Sequence, residues 1–366
     1  MTGRERVLKA MAREQPDRVP VWELAFNESS IIGLARHFID EENLPPDKFF
    51  FDMDDMEMLQ LIEAFKAMAK GLDLDGMTAT TNMALERIDD EHVRDENGVV
   101  HHCSEHGEPY PVQGPIQGPD DLKKFKMRSP RDEDYLLLVY MRSEVPDKAV
   151  AFMLPGPFFM SWSLRGSMEN LLLDYMVQPA LAHDLARMTT DFGLASVDRI
   201  ADLGADFIVI ECDLAFRSGT LMSPAHYDEF IGPYYKEIVD HAHDRGLKAV
   251  KHSDGVLTSF IPHFVENGFD AIHPIQPQCM DIAEIKRDWG DRLCVMGNID
   301  CSFLLPFGTP EEVRSSVRET IAAAAPGGGY IISSSNTIHP GCRPENYIAM
   351  VEAAREFGRY PELAGG

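Results

Sequence analysis

Five apolar runs of this chain end in polar side chains of the kind that do chemistry. FIVIECD (207–213) ends in Glu211 and Asp213, KAVKHSD (248–254) in His252 and Asp254, and AIHPIQPQ (271–278) in His273 and Gln276. LCVMGNID (293–300) ends in Asn298 and Asp300, and YIISSSN (330–336) in Ser335 and Asn336, with His339 and Cys342 just beyond. Residues two apart on a strand share a face, so Glu211 lies with Asp213 and His252 with Asp254. Carboxylates converging on an imidazole are what a metal site or an acid–base site requires. His252-Ser253-Asp254-Gly255 is the sharpest element. Both polar side chains point inward, and Gly255 lets the chain turn at once. Nitrogen and oxygen donors at that spacing suit a divalent metal, joined by Glu211 or Asp213 from the preceding strand. Plainer readings stand beside this one: His273 as a satisfied core histidine, Cys342 as an inert loop thiol, and Glu211 paired with a nearby Arg or Lys.

These runs need a scaffold that brings their ends together. From residue 149 onward the pattern alternates strand and helix. Strands are expected at 149–154, 207–213, 248–254, 271–275, 293–300 and 330–335. Helical stretches follow at 157–203 (in several pieces), 223–245, 256–266, 281–288, 309–324 and 344–357. Short β-rich runs joined by crossover helices mean a parallel sheet. VPVWEL (19–24) reads as a seventh strand, ending in Glu23 with Asn27 just beyond, after an N-terminal helix opened by a Thr2–Glu5 capping box. The expected fold is α/β, a (β/α)8 TIM barrel with an N-terminal elaboration, one domain over 1–366, its eighth strand hidden within 30–148. In such a barrel the chemistry lies at the C-terminal strand ends. An open doubly wound sheet is the alternative, but no glycine-rich turn follows the first strand, and Gly327-Gly328-Gly329 precedes its strand. Within 30–148 a helix is expected over 53–69 and a hairpin insertion over 84–104, turned by Asn97-Gly98. Its histidines 92, 101, 102 and 106 read as scattered residues of an exposed hairpin rather than as a metal site.

Composition removes several functions. The 366 residues carry 34 Lys+Arg against 60 Asp+Glu, a formal charge of −26. Phosphate backbones demand a basic patch, so nucleic acid is an unsuitable partner, and anionic membrane surfaces are equally disfavoured. The charged N-terminus has no apolar core of a signal peptide, and no window approaches the roughly 18 apolar residues of a membrane span. Six cysteines (103, 212, 279, 294, 301 and 342) show no CxxC spacing, so the expected compartment is the reducing cytoplasm. The 19 methionines read as gap-fillers in the core.

A set of segments then resembles one family. RERVLKAMAREQPDRVPV (4–21), LRGSMENLLLDY (164–175), LMSPAHYDEFIGPYYKEIVD (221–240), KHSDGVLTSFIPHFVENGFDAIHPI (251–275), MGNIDCSFLLPFGTPEEV (296–313) and PENYIAMVEAAREFG (344–358) are similar to the uroporphyrinogen decarboxylase superfamily. The resemblance runs from residue 4 to about 358 and implies a (β/α)8 barrel. It also implies one of two activities. The decarboxylases work without a cofactor and carry an arginine-rich segment soon after the first strand, which holds substrate carboxylates. Here WELAFNESSIIGLARHF (22–38) stands in its place, and a charge of −26 makes a poor host for an eight-carboxylate porphyrinogen. The other branch comprises zinc-dependent, corrinoid-linked methyltransferases. Those that methylate coenzyme M carry H-x-C after the same strand and a second Cys before the last helix. Here Asp254 replaces the first Cys, Asn336 falls near the second, and Cys342 lies six residues later.

That departure changes the chemistry implied. Thiolate ligands leave zinc a weak Lewis acid suited to a bound thiolate, whereas His with carboxylates makes a harder site suited to oxygen. The resemblance so adjusted implies an O-demethylase methyltransferase. It would take methyl from a methoxylated, aromatic substrate and deliver it to the corrinoid (cobalamin) of a partner protein. In that reading His252 binds Zn2+ with Glu211 and Asp254, and Cys342 or His339 stands in reserve. Asp213 ligates or orients the metal, so Asp213, His252 and Asp254 carry the catalysis. Glu23, Asn298, Asp300 and Asn336 line the substrate mouth, and Trp22, Phe26 and Met153 offer apolar walls for a ring. Two alternatives remain: a methylcobamide-to-thiol or -folate transferase, marked by a Cys-rich zinc site, and a metal-free decarboxylase of a smaller acid. A homodimer is left open as the state of assembly.

Overall fold

The computed structural model describes residues 1–103 and 109–360. Seven parallel strands form one curled sheet in chain order: β1 (Gly76–Ala79), β2 (Ala149–Pro155), β3 (Phe207–Glu211), β4 (Lys248–His252), β5 (Ala271–His273), β6 (Cys294–Met296) and β7 (Tyr330–Ile331). Segment 19–24 lies between the two edges. Ile332 donates to the Pro20 carbonyl at 3.0 Å, Trp22 donates to Ile332 O at 3.2 Å, and the Val21 carbonyl accepts from Asp75 N at 2.8 Å. This segment is the expected seventh strand in position, but it makes a bridge instead of a ladder. Pro20 has no N–H to offer a continuous set of rungs. With it the sheet closes into the (β/α)8 barrel.

The eighth strand sought within 30–148 is β1. It follows the helix Asp55–Gly71, which replaces the expected 53–69 and is opened by a capping box between Asp54 and Glu57. Gly76 is required there, because a Cβ would lie 2.9 Å from Trp22 Cδ1 and 3.2 Å from the Ala149 carbonyl.

Alternation along the strands sorts the side chains. Ala149, Ala151, Phe207, Val209, Val250, Ala271, Cys294, Met296 and Ile331 fill the barrel, together with Trp22 and Leu24. The helix Gly3–Met11 stops the lower end with Val7, Ala10 and Met11. The opposite strand faces, including Phe152, Ile208, Ile210, Ala249, Ile272 and Val295, pack against the surrounding helices.

The lower rim is held by a repeated device. Asp75, Asp206 and Asp270 each stand one residue before a strand and accept an N–H from a neighbouring stave: Val21, Val150 and Ala249, each at 2.9 Å. Each also meets basic side chains: Arg6 and Arg18 on Asp75, Arg4 and Arg142 on Asp206, Lys248 and the His243 ring on Asp270. Buried carboxylates so satisfied fix the staves at the end remote from the chemistry.

The insertion is larger than a hairpin. Four antiparallel strands, Leu85–Arg87, His92–Asp95, Val100–His102 and Tyr110–Gln113, form a separate sheet. Asp95 Oδ1 caps the Asn97-Gly98 turn by accepting from Asn97 N and Val99 N at 2.9 Å, and Gly98 takes φ +82°. His101 is buried against Asp95, His92 bonds Asp89, and His102 packs on Tyr110. His106 and the end of the expected hairpin at residue 104 lie outside the described residues. Among the described residues no helix is long and apolar enough to cross a membrane.

Candidate metal centre

At the upper ends of β3 and β4 the last pair in register is Glu211 beside His252. Two residues further on, Asp213 and Asp254 complete the mouth of this wall. One ligand atom each from Asp213, His252 and Asp254 lies within 4.8 Å of the others. The loops carrying them are tied together. Asp254 N donates to Asp213 Oδ1 at 2.8 Å, and Leu214 N donates to Ser253 Oγ at 2.9 Å. Gly255 takes φ +89°, and its N–H donates to Gln276 Oε1 at 3.1 Å. A Cβ there would strike the Ala215 carbonyl at 2.6 Å, so the H-x-D-G turn needs its glycine.

The imidazoles settle their own tautomers. Ser333 Oγ donates to the Ser334 carbonyl at 2.9 Å, so it accepts from His273 Nε2 at 3.1 Å. His273 Nδ1 is then the lone-pair nitrogen, and His252 Nδ1–H donates to it across 2.8 Å. The lone pair of His252 is thereby left on Nε2, the form in which an imidazole ligates a metal. Burial, helped by the charge of Lys251, pushes His252 down to about 3, and burial holds His273 well below its usual range. Both rings are neutral at physiological pH. His273 is the buried core histidine that the sequence suggested, and it also orients His252.

The carboxylates are arranged for a cation. Asn336 Nδ2 donates to Asp254 Oδ2 at 2.6 Å, while Asp254 Oδ1 is buried without a hydrogen-bond partner among the described residues. An orphaned carboxylate oxygen is costly unless something positive meets it. Burial and the neighbouring Asp213 raise Asp254 to about 7, against the lowering effect of Asn336 and Arg217. Two carboxyl groups and one imidazole lone pair, with an unsatisfied oxygen among them, fit a divalent ion bound through nitrogen and oxygen.

The other sequence candidates are placed as follows. Glu211 is half-buried at the side of His252 but is not part of the three-residue group. Cys342 is not part of it either: its thiol donates to the Cys301 carbonyl at 3.6 Å, and burial raises it to about 12. His339 bonds the same carbonyl at 2.8 Å. Neither Cys342 nor His339 belongs to the three-residue group found among the described residues.

Asn298 donates to Ile275 O at 2.8 Å. Asp300 caps a turn by accepting from Ser302 N at 2.7 Å and Phe303 N at 3.2 Å. Both spend polar atoms on backbone. Trp22 is wholly buried inside the barrel, edge-on to His273 at 5.3 Å, with its Nε1 unpartnered among the described residues. Met153 joins that interior, whereas Phe26 packs outside it on Phe65 and Tyr347. Glu23 is buried on the far wall, where its carboxyl accepts from Ser334 N at 2.9 Å and meets Ser334 Oγ at 2.7 Å. Sequence reasoning missed Ser333 as the residue that fixes the histidine pair. A serine inside an SSS run gives no sign of which neighbour it bonds.

The uroporphyrinogen decarboxylase (URO-D) family pattern matches residues 97–357. A uroporphyrinogen decarboxylase of Coxiella burnetii is 23% identical over 381 aligned positions, covering 96% of this chain and 95% of that protein. A methylated-thiol–coenzyme M methyltransferase of Methanosarcina mazei is 26% identical over 213 positions, covering 58% of this chain and 54% of that protein. Among solved structures, a methyltransferase from Methanosarcina mazei superposes with a TM-score of 0.73 at 18% identity, over 98% of this chain and 99% of that one. The last likeness supports the barrel fold.

Proposed function

We propose that this chain, which belongs to the uroporphyrinogen decarboxylase (URO-D) family, is a zinc-dependent methyltransferase. It moves a methyl group from a methoxylated, aromatic substrate to the cobalt of a corrinoid carried on a partner protein. The observation that carries this reading is the convergence of Asp213, His252 and Asp254 within 4.8 Å, with Asp254 Oδ1 buried and unpaired among the described residues. His252 Nε2, Asp254 Oδ1 and a carboxylate oxygen of Asp213 would hold the ion, with Glu211 beside them. A divalent ion in that hard donor set would supply Lewis acidity toward an ether oxygen, whose negative charge grows as its bond to the methyl carbon breaks.

The chain's own residues do the rest. His273 presents the His252 lone pair, and Asn336 holds Asp254 by one oxygen, the other being buried without a partner among the described residues. Trp22 and Met153 close the barrel interior below with apolar surface that excludes water. The sequence at 22–38 has no arginine-rich segment for a polycarboxylate. The Methanosarcina mazei relative, named for methyl transfer to coenzyme M, supports methyl transfer as the reaction class. The oxygen donor is inferred from Asp254, which stands where thiol-directed relatives are expected to carry a thiolate.

The test is an assay of guaiacol- and vanillate-type ethers with zinc-loaded protein and a reduced corrinoid protein. The expected result is loss of the O-methyl group and growth of the methylcobamide absorbance. Decarboxylation of an added acid by metal-stripped protein, with no demethylation, would overturn the reading. So would methyl transfer only from methylcobamide to a thiol.

A further inference from the structure

Lys251 is wholly buried, at 0% exposure, on the outer face of β4. Its neighbours on that face of the sheet are apolar residues such as Ile210 and Ile272. An ammonium in this layer costs several kcal/mol unless its donors are met. They are met by backbone. Nζ donates to the Cys212 carbonyl at 2.8 Å, to the His252 carbonyl, and to the Ile210 carbonyl at 3.4 Å, and it sits 5.4 Å from the centre of the Tyr235 ring. An ammonium has three N–H donors, and three carbonyls lie within reach of it.

The identity of those carbonyls gives the lysine its role. Ile210 and Cys212 flank Glu211, and Cys212 immediately precedes Asp213. His252 is the imidazole of the centre. The β3–β4 ladder ends at Glu211 and His252, and the next backbone contact, Cys212 N to His252 O, has lengthened to 3.4 Å. Where the ladder fades, Lys251 grips both strand ends from behind. Packing alone does not call for a charge at position 251, since Met or Leu would fill the layer at less desolvation cost.

We infer that Lys251 is a positioning residue, an ammonium strap that clamps the ends of β3 and β4 so that Asp213, His252 and Asp254 converge. The inference rests on the metal reading above only for its zinc readout. The strap itself is tested by amide hydrogen exchange on the metal-free full chain, comparing wild type with Lys251→Met, which keeps length and removes the donors. Asp254 and Leu214 report directly, because their N–H groups bond Asp213 Oδ1 and Ser253 Oγ across the two loops. Their exchange should quicken by about tenfold or more while the protection of β2 stays unchanged, as local opening requires. Zinc affinity, from chelator competition, should weaken by about tenfold or more. Lys251→Gln, which keeps N–H donors, should recover part of both.

Exchange at Asp254 and Leu214 that stays within twofold of wild type (about the scatter of such rates) would overturn the inference. So would failure of both variants to fold, since a local strap should not be needed by the whole barrel. If wild type itself takes up no zinc, the proposed function falls, and amide exchange alone decides the strap.

Discussion

Glu23→Gln should change how stability depends on pH, and the structure says in which direction. Glu23 is fully enclosed, and burial raises it to about 8 from an ordinary 4.5, against the lowering effects of Ser334 and the Tyr347 hydroxyl. The hydrogen bonds agree with a neutral acid. Ser334 Oγ contacts both Glu23 Oε2 and the Asn336 carbonyl, and one hydroxyl proton serves only one of them. A protonated Glu23 donates to Ser334 Oγ, which donates onward to the Asn336 carbonyl. An ionised Glu23 would claim that proton and leave two oxygens facing each other.

The folded chain therefore keeps this proton until about pH 8, whereas the unfolded chain releases it near 4.5. The stability it contributes is complete below the lower value and is lost as pH rises towards the upper one. The slope approaches about 1.4 kcal/mol per pH unit, or about 3 kcal/mol between roughly pH 5 and 7.5. Glutamine reproduces the neutral donor and acceptor and does not titrate. Urea denaturation at several pH values across that window, followed by circular dichroism, should show the wild-type minus variant difference falling steadily as pH rises. A difference that is flat, or that rises with pH, refutes the argument that Glu23 is buried as the acid.

Two further predictions concern the centre. Asn336→Ala frees Asp254 Oδ2 and should weaken zinc binding by about 10- to 100-fold without unfolding the chain, as seen by isothermal titration. Unchanged affinity would mean that Asp254 needs no such guide. Nitrogen NMR of the histidine rings should find His252 protonated on Nδ1 and His273 on Nε2 in metal-free protein, with neither ring charged at pH 7, and Ser333→Ala should disturb the His273 resonances first. The opposite tautomer of His252 would place its lone pair on the wrong nitrogen.

Much of the scaffold was legible because hydrophobic period and turn residues are local signals. The runs at 149–154, 207–213, 248–254 and 293–300 became strands β2, β3, β4 and β6, although the last two or more residues of several runs turned out to be loop. Those loop residues are the ones that matter, since Asp213 and Asp254 lie past the final rung and are aimed by cross-loop bonds. β1 escaped because four residues carry too little pattern, and because the reason for Gly76 is a tryptophan far away in sequence. The insertion was read as one hairpin because only its Asn97-Gly98 turn has a strong signature. Cys342 was drawn into the ligand set by residue type, and only the fold shows its thiol spent on Cys301. Asp213 was left between ligand and orienting roles, since the difference is a matter of loop path. Lys251 drew no role from the sequence, because nothing local shows that its side chain is buried on the outer face against backbone carbonyls.

In the proposed function Asp213, His252 and Asp254 together hold one divalent ion needed for methyl transfer. The most direct measurement is elemental analysis of the purified chain beside its His252→Ala variant, with demethylation assayed before chelation, after chelation and after zinc is restored. About one zinc per wild-type chain is expected. Little zinc is expected in the folded variant, with loss of activity on chelation and recovery with zinc. A metal-free preparation that demethylates at the full rate, or a variant that keeps its zinc and its turnover, would contradict it.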